Sequence, residues 1–132
     1  MPFNRTDYAF YHGTAPLSSS GSSRGKRHVP QVLYRTSHRV LLYRGVIYEW
    51  GVGSTEPSEK VAWEGCRPLG HCDVTWSRRA AGYSSCTTAE VTAYSRAYKG
   101  RYGQYTWYSN NCHRYVNRMM RYLRSDCSRF PR

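Results

Sequence analysis

A cysteine in the stretch "YSNNCHRYV", residues 108–116, stands where a reactive thiol would be expected. Ser109 or Asn110 can act as the N-cap of a following helix, which places Cys112 in the first helical turn. Unpaired backbone N–H groups and the positive end of the helix dipole favour a thiolate there. The competing interpretation is a small buried apolar side chain at a helix start. Position makes Cys112 the best nucleophile candidate among the five cysteines.

A cysteine nucleophile needs a base, and the base needs a third group that holds it. The segment "HRVLLYRGVIYEWG" at 38–51 contains both kinds of side chain. Its β-branched and aromatic runs predict a hairpin with strands near 39–43 and 46–50. Arg44-Gly45 would form the two-residue turn, with glycine meeting the positive φ that such turns need.

Counting outward from that turn places Val40 opposite Glu49. His38 then lies diagonally across from Glu49 on the same face, about 7–8 Å away between Cα atoms. The hairpin therefore predicts that His38 is the base for Cys112 and that Glu49 orients it.

The two segments resemble the H-box and NC motifs of the lecithin retinol acyltransferase-like family. The first histidine of the H-box corresponds to His38, and the pattern Asn-Cys-x-x-aromatic-Val is met by Asn111, Cys112, Tyr115 and Val116. The family's usual Glu-His after the cysteine is His113-Arg114 in this chain.

The second histidine of the H-box is replaced. Correcting for the turn puts Glu49 at its position, whereas an uncorrected count puts Trp50 there. A carboxylate can orient an imidazole as a second histidine does, but a tryptophan would leave the dyad without an orienting group. Both alternatives remain open from the sequence.

The resemblance implies an α+β protein with a circularly permuted papain-like fold, in which a small antiparallel sheet packs against two or three helices. It assigns catalysis to Cys112, His38 and Glu49, with Asn111, Tyr115 and Trp50 supporting the motif.

Proteins with these motifs include cellular acyltransferases and phospholipases, bacterial permuted cell-wall peptidases and the H-box/NC type of picornavirus 2A protein. The small size, with no signal-peptide core and no C-terminal anchor, is most similar to the viral type. That resemblance implies a nonstructural protein of viral replication that contacts host factors or RNA. Because the H-box is altered, binding is favoured over catalysis; the alternative is a cysteine-dependent acyltransferase or hydrolase using Cys112 and His38.

The charge balance supports a polyanionic partner. Twenty Lys and Arg oppose eight Asp and Glu, which gives a net charge of +12, and such a field attracts RNA, anionic lipid or acidic protein surfaces. A merely solvated basic surface is the alternative. Because no apolar run reaches the roughly 18 residues that span a bilayer, we expect a protein of the host-cell cytoplasm, including its replication membranes, that contacts membranes only peripherally.

Composition along the chain predicts its organisation. The stretch "LSSSGSSRGKR" at 17–27 is typical of a flexible linker. Residues 1–28 are therefore expected to be a flexible basic arm and linker, and residues 29–132 a single domain. Thr87 with Glu90 forms a capping-box pattern that predicts a helix over 88–99, ended by Gly100. A second helix is predicted from Ser109 or Asn110 to about Arg124, with its arginines Arg114, Arg118, Arg121 and Arg124 facing outward. The 13 tyrosines of the chain predict a tyrosine-rich core.

The remaining cysteines predict little chemistry. Five thiols without tight paired spacing are typical of reduced cysteines in an intracellular protein. Cys66, His71, Cys72 and Asp73 have zinc-ligand side chains, but their spacing matches no common zinc module. We therefore expect no metal and no other cofactor.

Overall fold

A computed structural model describes residues 8–15, 38–51, 54–61 and 74–128. These residues form one small antiparallel sheet and two helices, so the predicted α+β class is confirmed. The strands are β1 (Ala9–Ala15), β2 (His38–Tyr43), β3 (Val46–Glu49), β4 (Ser58–Val61), β5 (Thr75–Trp76) and β6 (Gly82–Tyr83). The helices are α1 (Thr88–Tyr102) and α2 (Cys112–Arg124).

The sheet has the order β4-β3-β2-β1-β5, and β6 also pairs with β1. Strands β5 and β6 pair with different parts of β1, at Gly13–Thr14 and at Ala9–Phe10 respectively. Helix α2 packs across β2 and β3. The two strands of the central hairpin are therefore the ones that face the helix carrying Cys112.

The prediction of a flexible arm over residues 1–28 is wrong for Ala9–Ala15. These residues form an inner strand, β1, with β2 on one side. A Cβ atom at Gly13 would lie 2.5 Å from Val74 Cγ1 and 2.8 Å from the Trp76 ring. Position 13 must therefore be glycine, because the side chains of Val74 and Trp76 pack directly against the β1 backbone there. The strand belongs to the domain, because its pairing builds the sheet.

Two sequence predictions fall outside the described residues. They are the linker at 17–27, together with the boundary at 28/29, and the candidate zinc residues within 66–73.

The predicted hairpin is confirmed. Strands β2 and β3 pair in the expected register, with Val40 opposite Glu49 and Tyr43 opposite Val46. Arg44 and Gly45 both have positive φ, 48° and 79°, as a two-residue turn with the twist of the flanking strands requires.

The capping box of α1 is confirmed, whereas the predicted end is wrong. The Glu90 N–H donates to Thr87 Oγ1 at 3.1 Å, and the Thr87 N–H donates to Glu90 Oε1 at 2.9 Å. The helix continues through Gly100 and ends at Gly103, where φ is 95° and the N–H bonds to the Lys99 carbonyl. Gly100 does not end the helix because the residue with the positive φ that terminates it is Gly103, three positions later.

Helix α2 begins slightly later than predicted. Its N-cap is Asn111, not Ser109 or Asn110, and the Asn111 side chain accepts the Arg114 N–H at 3.0 Å. The prediction that the arginines of this helix face outward holds for three of them, but Arg118 is half-buried. It donates to the Tyr98 hydroxyl at 3.0 Å and lies 3.9 Å from the Tyr102 ring centroid.

The core is tyrosine-rich, as predicted. Tyr43, Tyr48, Tyr94, Tyr98, Tyr115 and Tyr122 are all buried, together with Phe10, Leu41, Trp50 and the apolar side chains of α2. A smaller cluster of Val40, Leu42 and Ile47 covers the other face of the sheet. The tyrosine hydroxyls are satisfied inside the core; Tyr115, for example, bonds to Ser95 Oγ at 2.7 Å, which avoids the cost of a buried unpaired hydroxyl.

The expectation of reduced thiols is wrong for two of the five cysteines. Cys86, just before α1, and Cys127, just after α2, form a disulfide with Cα atoms 5.8 Å apart. The bond joins the N-terminal end of α1 to the C-terminal end of α2.

Candidate active site

Cys112 is the first residue of α2, directly after its N-cap. Its side chain is nearly buried, with 3% of the residue exposed. At this position the sulfur lies beside backbone N–H groups that have no partner within the helix, and these favour a thiolate. The predicted first-turn placement of Cys112 is therefore confirmed.

His38 and Glu49 lie side by side at the edge of the hairpin. Strand β2 begins at His38 and β3 ends at Glu49, and His38 Nε2 is 2.7 Å from Glu49 Oε1. Only 16% and 13% of these two side chains are exposed, and Lys60 Nζ lies 3.6 Å from the other carboxylate oxygen. Such a short bond between partly buried groups both fixes the ring and stabilises its charged form.

The register question is therefore decided in favour of Glu49. Trp50 points into the core, where it is fully buried and donates from Nε1 to the Ser54 carbonyl at 3.2 Å. Its ring meets those of Tyr98 and Tyr105 edge-on, with centroids 5.5 and 5.2 Å away. Trp50 therefore packs against Tyr98 and Tyr105 in the core and does not orient His38.

The thiol of Cys112 meets the imidazole of His38. Glu49 occupies Nε2, and the other ring nitrogen, Nδ1, is buried without a hydrogen-bond partner among the described residues. Burial disfavours charge on both side chains, but their mutual hydrogen bond and attraction outweigh it. With Glu49 adding to the effect, the pKa of His38 rises to about 9.

The pKa of Cys112 moves the opposite way. Burial alone would raise it, but the hydrogen bond with His38 and the Arg39 backbone N–H lower it below its usual value. A lowered thiol pKa and a raised imidazole pKa together favour a thiolate–imidazolium pair. That is the charge state of an activated cysteine nucleophile.

Tyr105 completes the site and was missed in the sequence. It lies in the loop between α1 and α2, where its hydroxyl bonds to the Cys112 sulfur and accepts the Cys112 backbone N–H. Burial, followed by the nearby thiolate, raises the pKa of Tyr105, so it stays a neutral donor. Nothing in the sequence distinguishes it from the other twelve tyrosines.

The loop that carries Tyr105 is held by asparagine. Asn110 bridges across the loop, and its Nδ2 donates to the carbonyls of Tyr102, Gly103 and Gln104 at 3.1, 2.9 and 2.8 Å. Asn111 caps α2 and donates to the Trp107 carbonyl at 3.0 Å. Asn111 thus positions Cys112 at the start of α2. Tyr115, fully buried one turn later, anchors α2 on α1.

No family model, curated protein or solved structure matches the chain. Neither of the two described helices has the length and apolar character needed to cross a membrane.

Proposed function

We propose that the chain is a cysteine-dependent acyl-transfer enzyme, a thiol acyltransferase or hydrolase, on a circularly permuted papain-like scaffold. The observation that carries the proposal is the placement of Cys112 beside His38, whose Nε2 lies 2.7 Å from Glu49 Oε1. Its support lies in the roles that the three side chains can take: nucleophile, base and orienting group. The order of histidine before cysteine agrees with the resemblance to the lecithin retinol acyltransferase-like family.

In the proposed reaction, Cys112 Sγ attacks the carbonyl carbon of an ester or amide. The C–O or C–N bond breaks as His38 donates its proton to the leaving alcohol or amine, and a thioester on Cys112 remains. A water or a second alcohol or amine then attacks the thioester, giving its proton to the neutral His38. The thiolate leaves, and the acyl group passes to the attacking oxygen or nitrogen.

The negative oxygen of the tetrahedral intermediate needs donors that are already in place. The Cys112 backbone N–H is one such donor at the start of α2. The Tyr105 hydroxyl, which touches both that N–H and the sulfur, is the second. A substrate carbonyl enters by displacing the contact between Tyr105 and the N–H, after which both groups donate to its oxygen.

The test is the alkylation rate of Cys112 by an iodoacetamide probe, followed peptide by peptide by mass spectrometry so that Cys66 and Cys72 are counted separately. We expect Cys112 to react at neutral pH and His38→Ala to slow it about tenfold or more, in keeping with a lost charge-assisted bond of roughly 1.5–3 kcal/mol. Cys112→Ser is the control for peptide assignment. An unreactive Cys112 in folded protein, or a rate unchanged in His38→Ala, would refute the proposal.

A second candidate function comes from the basic surface. We infer a nonstructural protein similar to the H-box/NC 2A type, acting in the cytoplasm of an infected cell and binding RNA. The net charge of +12 and the exposed Arg114, Arg121 and Arg124 of α2 support it. So do Trp107 and Tyr108, which are 68% and 70% exposed, because exposed aromatic rings among cations can stack on bases.

RNA binding is expected to weaken steeply with salt and to survive Cys112→Ala. Trp107→Ala is expected to weaken the binding of a single-stranded RNA oligonucleotide in fluorescence anisotropy. Affinity independent of salt, or lost in Cys112→Ala with the fold intact, would contradict this second function.

A further inference from the structure

Three potential metal ligands meet at one place away from the candidate active site. Cys86, Glu90 and Cys127 each offer one ligand atom, and these atoms all lie within 4.8 Å of one another. Two of the ligands flank or belong to the start of α1, and the third follows the end of α2. Within the described ranges no other group of at least three His, Cys, Asp or Glu side chains is as compact.

We propose that the reduced form of this trio is a binding site for a divalent metal ion, with Zn²⁺ the ion that its ligands suit best. Two thiolates and one carboxylate are ligands that zinc accepts, with Zn–S near about 2.3 Å and Zn–O near about 2.0–2.2 Å. Hard cations such as Mg²⁺ prefer oxygen ligands alone. The function proposed for Cys112 does not bear on this site.

The backbone already holds the ligands near each other. The Cys86 and Cys127 Cα atoms are 5.8 Å apart, bridged by the disulfide, so only side-chain rotation is needed to open the sulfurs around an ion. Cys86 is further fixed because its carbonyl accepts the buried Tyr43 hydroxyl at 2.6 Å.

The carboxylate is oriented in advance by the capping box. Glu90 Oε1 accepts the Thr87 N–H at 2.9 Å, which leaves Oε2 for a metal. Two thiolates and one carboxylate around Zn²⁺ leave a charge of −1, which a protein of net charge +12 accommodates.

Burial decides from which side the ion enters. Cys86 is 1% exposed, Cys127 is half-buried and Glu90 is exposed. The sulfur of Cys86 therefore forms the floor of the site, and the ion approaches past Glu90. The fourth position faces outward and is taken by water, as in zinc sites that keep an open position.

Formation of the site takes two balanced steps. A thiol or phosphine reductant supplies two electrons and, with two protons, converts the Cys86–Cys127 disulfide to two thiols while it is itself oxidised. Zn²⁺ then displaces both thiol protons and binds the two sulfurs and the Glu90 carboxylate, so two protons are released for each ion bound.

The test uses the full chain with Cys66→Ser and Cys72→Ser. These substitutions remove the two cysteines that could bind zinc together with His71 and Asp73, which lie close to them in the sequence. After reduction by a phosphine and anaerobic desalting, Co²⁺ is titrated as an optical probe and then displaced by Zn²⁺. We expect one ion per chain, with thiolate-to-cobalt charge-transfer bands and the d–d bands of a tetrahedral site. The oxidised protein, its disulfide intact, is expected to bind none.

Two substitutions separate the ligands. Cys86→Ser is expected to abolish the charge-transfer bands of stoichiometric binding. Glu90→Gln keeps an oxygen for the cap, retains the bands and is expected to lower affinity about tenfold or more, since even outer partners of metal ligands are worth about 10–100-fold. Glu56→Gln, an exposed carboxylate elsewhere, is the matched control and is expected to change nothing.

The proposal fails if the reduced protein binds no Co²⁺, if Cys86→Ser binds as well as its parent, or if Glu90→Gln and Glu56→Gln bind equally. It also fails if reduction unfolds the chain in circular dichroism and the metal does not restore it. Should the variant lacking Cys66 and Cys72 misfold, the same comparison of Cys86→Ser with its parent is made in the natural sequence and decides in the same way.

Discussion

The charge on Glu49 controls how easily Cys112 ionises. Glu49→Gln removes that charge but keeps an oxygen that can accept the His38 Nε2–H, now 2.7 Å from the carboxylate. A hydrogen bond to a charged group contributes about 1.5–3 kcal/mol, and one between neutral groups about 0.5–1.5 kcal/mol. The difference is about 1–1.5 kcal/mol, which corresponds to roughly one pKa unit.

A weaker bond from residue 49 makes the imidazolium form of His38 less stable. Because the imidazolium stabilises the Cys112 thiolate, the pKa of Cys112 rises as a result. In Glu49→Gln the midpoint of Cys112 ionisation is expected to rise by about one pH unit, and alkylation below that midpoint to slow about tenfold. Glu49→Ala loses the bond as well as the charge and is expected to shift further, by up to about two units. The assay is the alkylation rate of Cys112 from pH 5 to 10, read by peptide mass spectrometry.

Glu59→Gln is the matched control. Glu59 lies on the neighbouring strand β4, and its carboxylate binds Arg96 at 2.8 Å. The alkylation rate of Cys112 in Glu59→Gln is therefore expected to depend on pH as it does in the natural protein. The reasoning is refuted if Glu49→Gln and Glu49→Ala both keep the natural profile, or if Glu59→Gln shifts it equally.

Three further predictions concern the same site. Tyr105→Phe removes a donor to the sulfur and to the intermediate; we expect a higher pKa for Cys112 in thiolate absorbance and about 10–100-fold slower acyl transfer to a thioester probe, with unchanged circular dichroism. Asn111→Ala removes the cap of α2 and is expected to cost about 1 kcal/mol in urea unfolding, whereas Asn117→Ala, exposed on the same helix, costs little. Acyl transfer is expected to rise with pH as Cys112 ionises below its usual pKa and to fall as His38, with its pKa of about 9, loses the proton it must donate; a rate still rising at pH 10 would contradict this assignment.

The parts of the fold that depend on neighbouring residues were predictable. The Arg44-Gly45 turn fixes the hairpin register, and the register fixes the diagonal of His38 and Glu49. The capping box fixes the start of α1 in the same local way. Because both signals lie within a few residues, they can be recognised in the sequence without knowledge of the tertiary fold.

The parts that depend on distant pairing were not predictable. Strand β1 cannot be recognised from its own residues alone. Gly13 is a poor strand former, and glycine is needed there only because the Trp76 ring, from a distant segment, packs closely against it. The partners Cys86 and Cys127 are 41 residues apart, a spacing that does not predict a bond. Tyr105 reaches the sulfur because its loop folds back, a geometry that its sequence does not encode in any periodic pattern.

Acylation of Cys112 resolves a difficulty that the raised pKa of His38 creates for the proposed reaction. An imidazolium with a pKa of about 9 is well suited to hold the resting thiolate, yet the second step needs His38 as a neutral base. Part of the shift comes from Cys112 itself, through their hydrogen bond and charge, and that part disappears once the sulfur carries an acyl group. Burial, which lowers the pKa of His38, then acts against Glu49 alone. Acylation therefore converts the imidazole from an acid into a base, while Glu49 keeps the ring oriented in both steps.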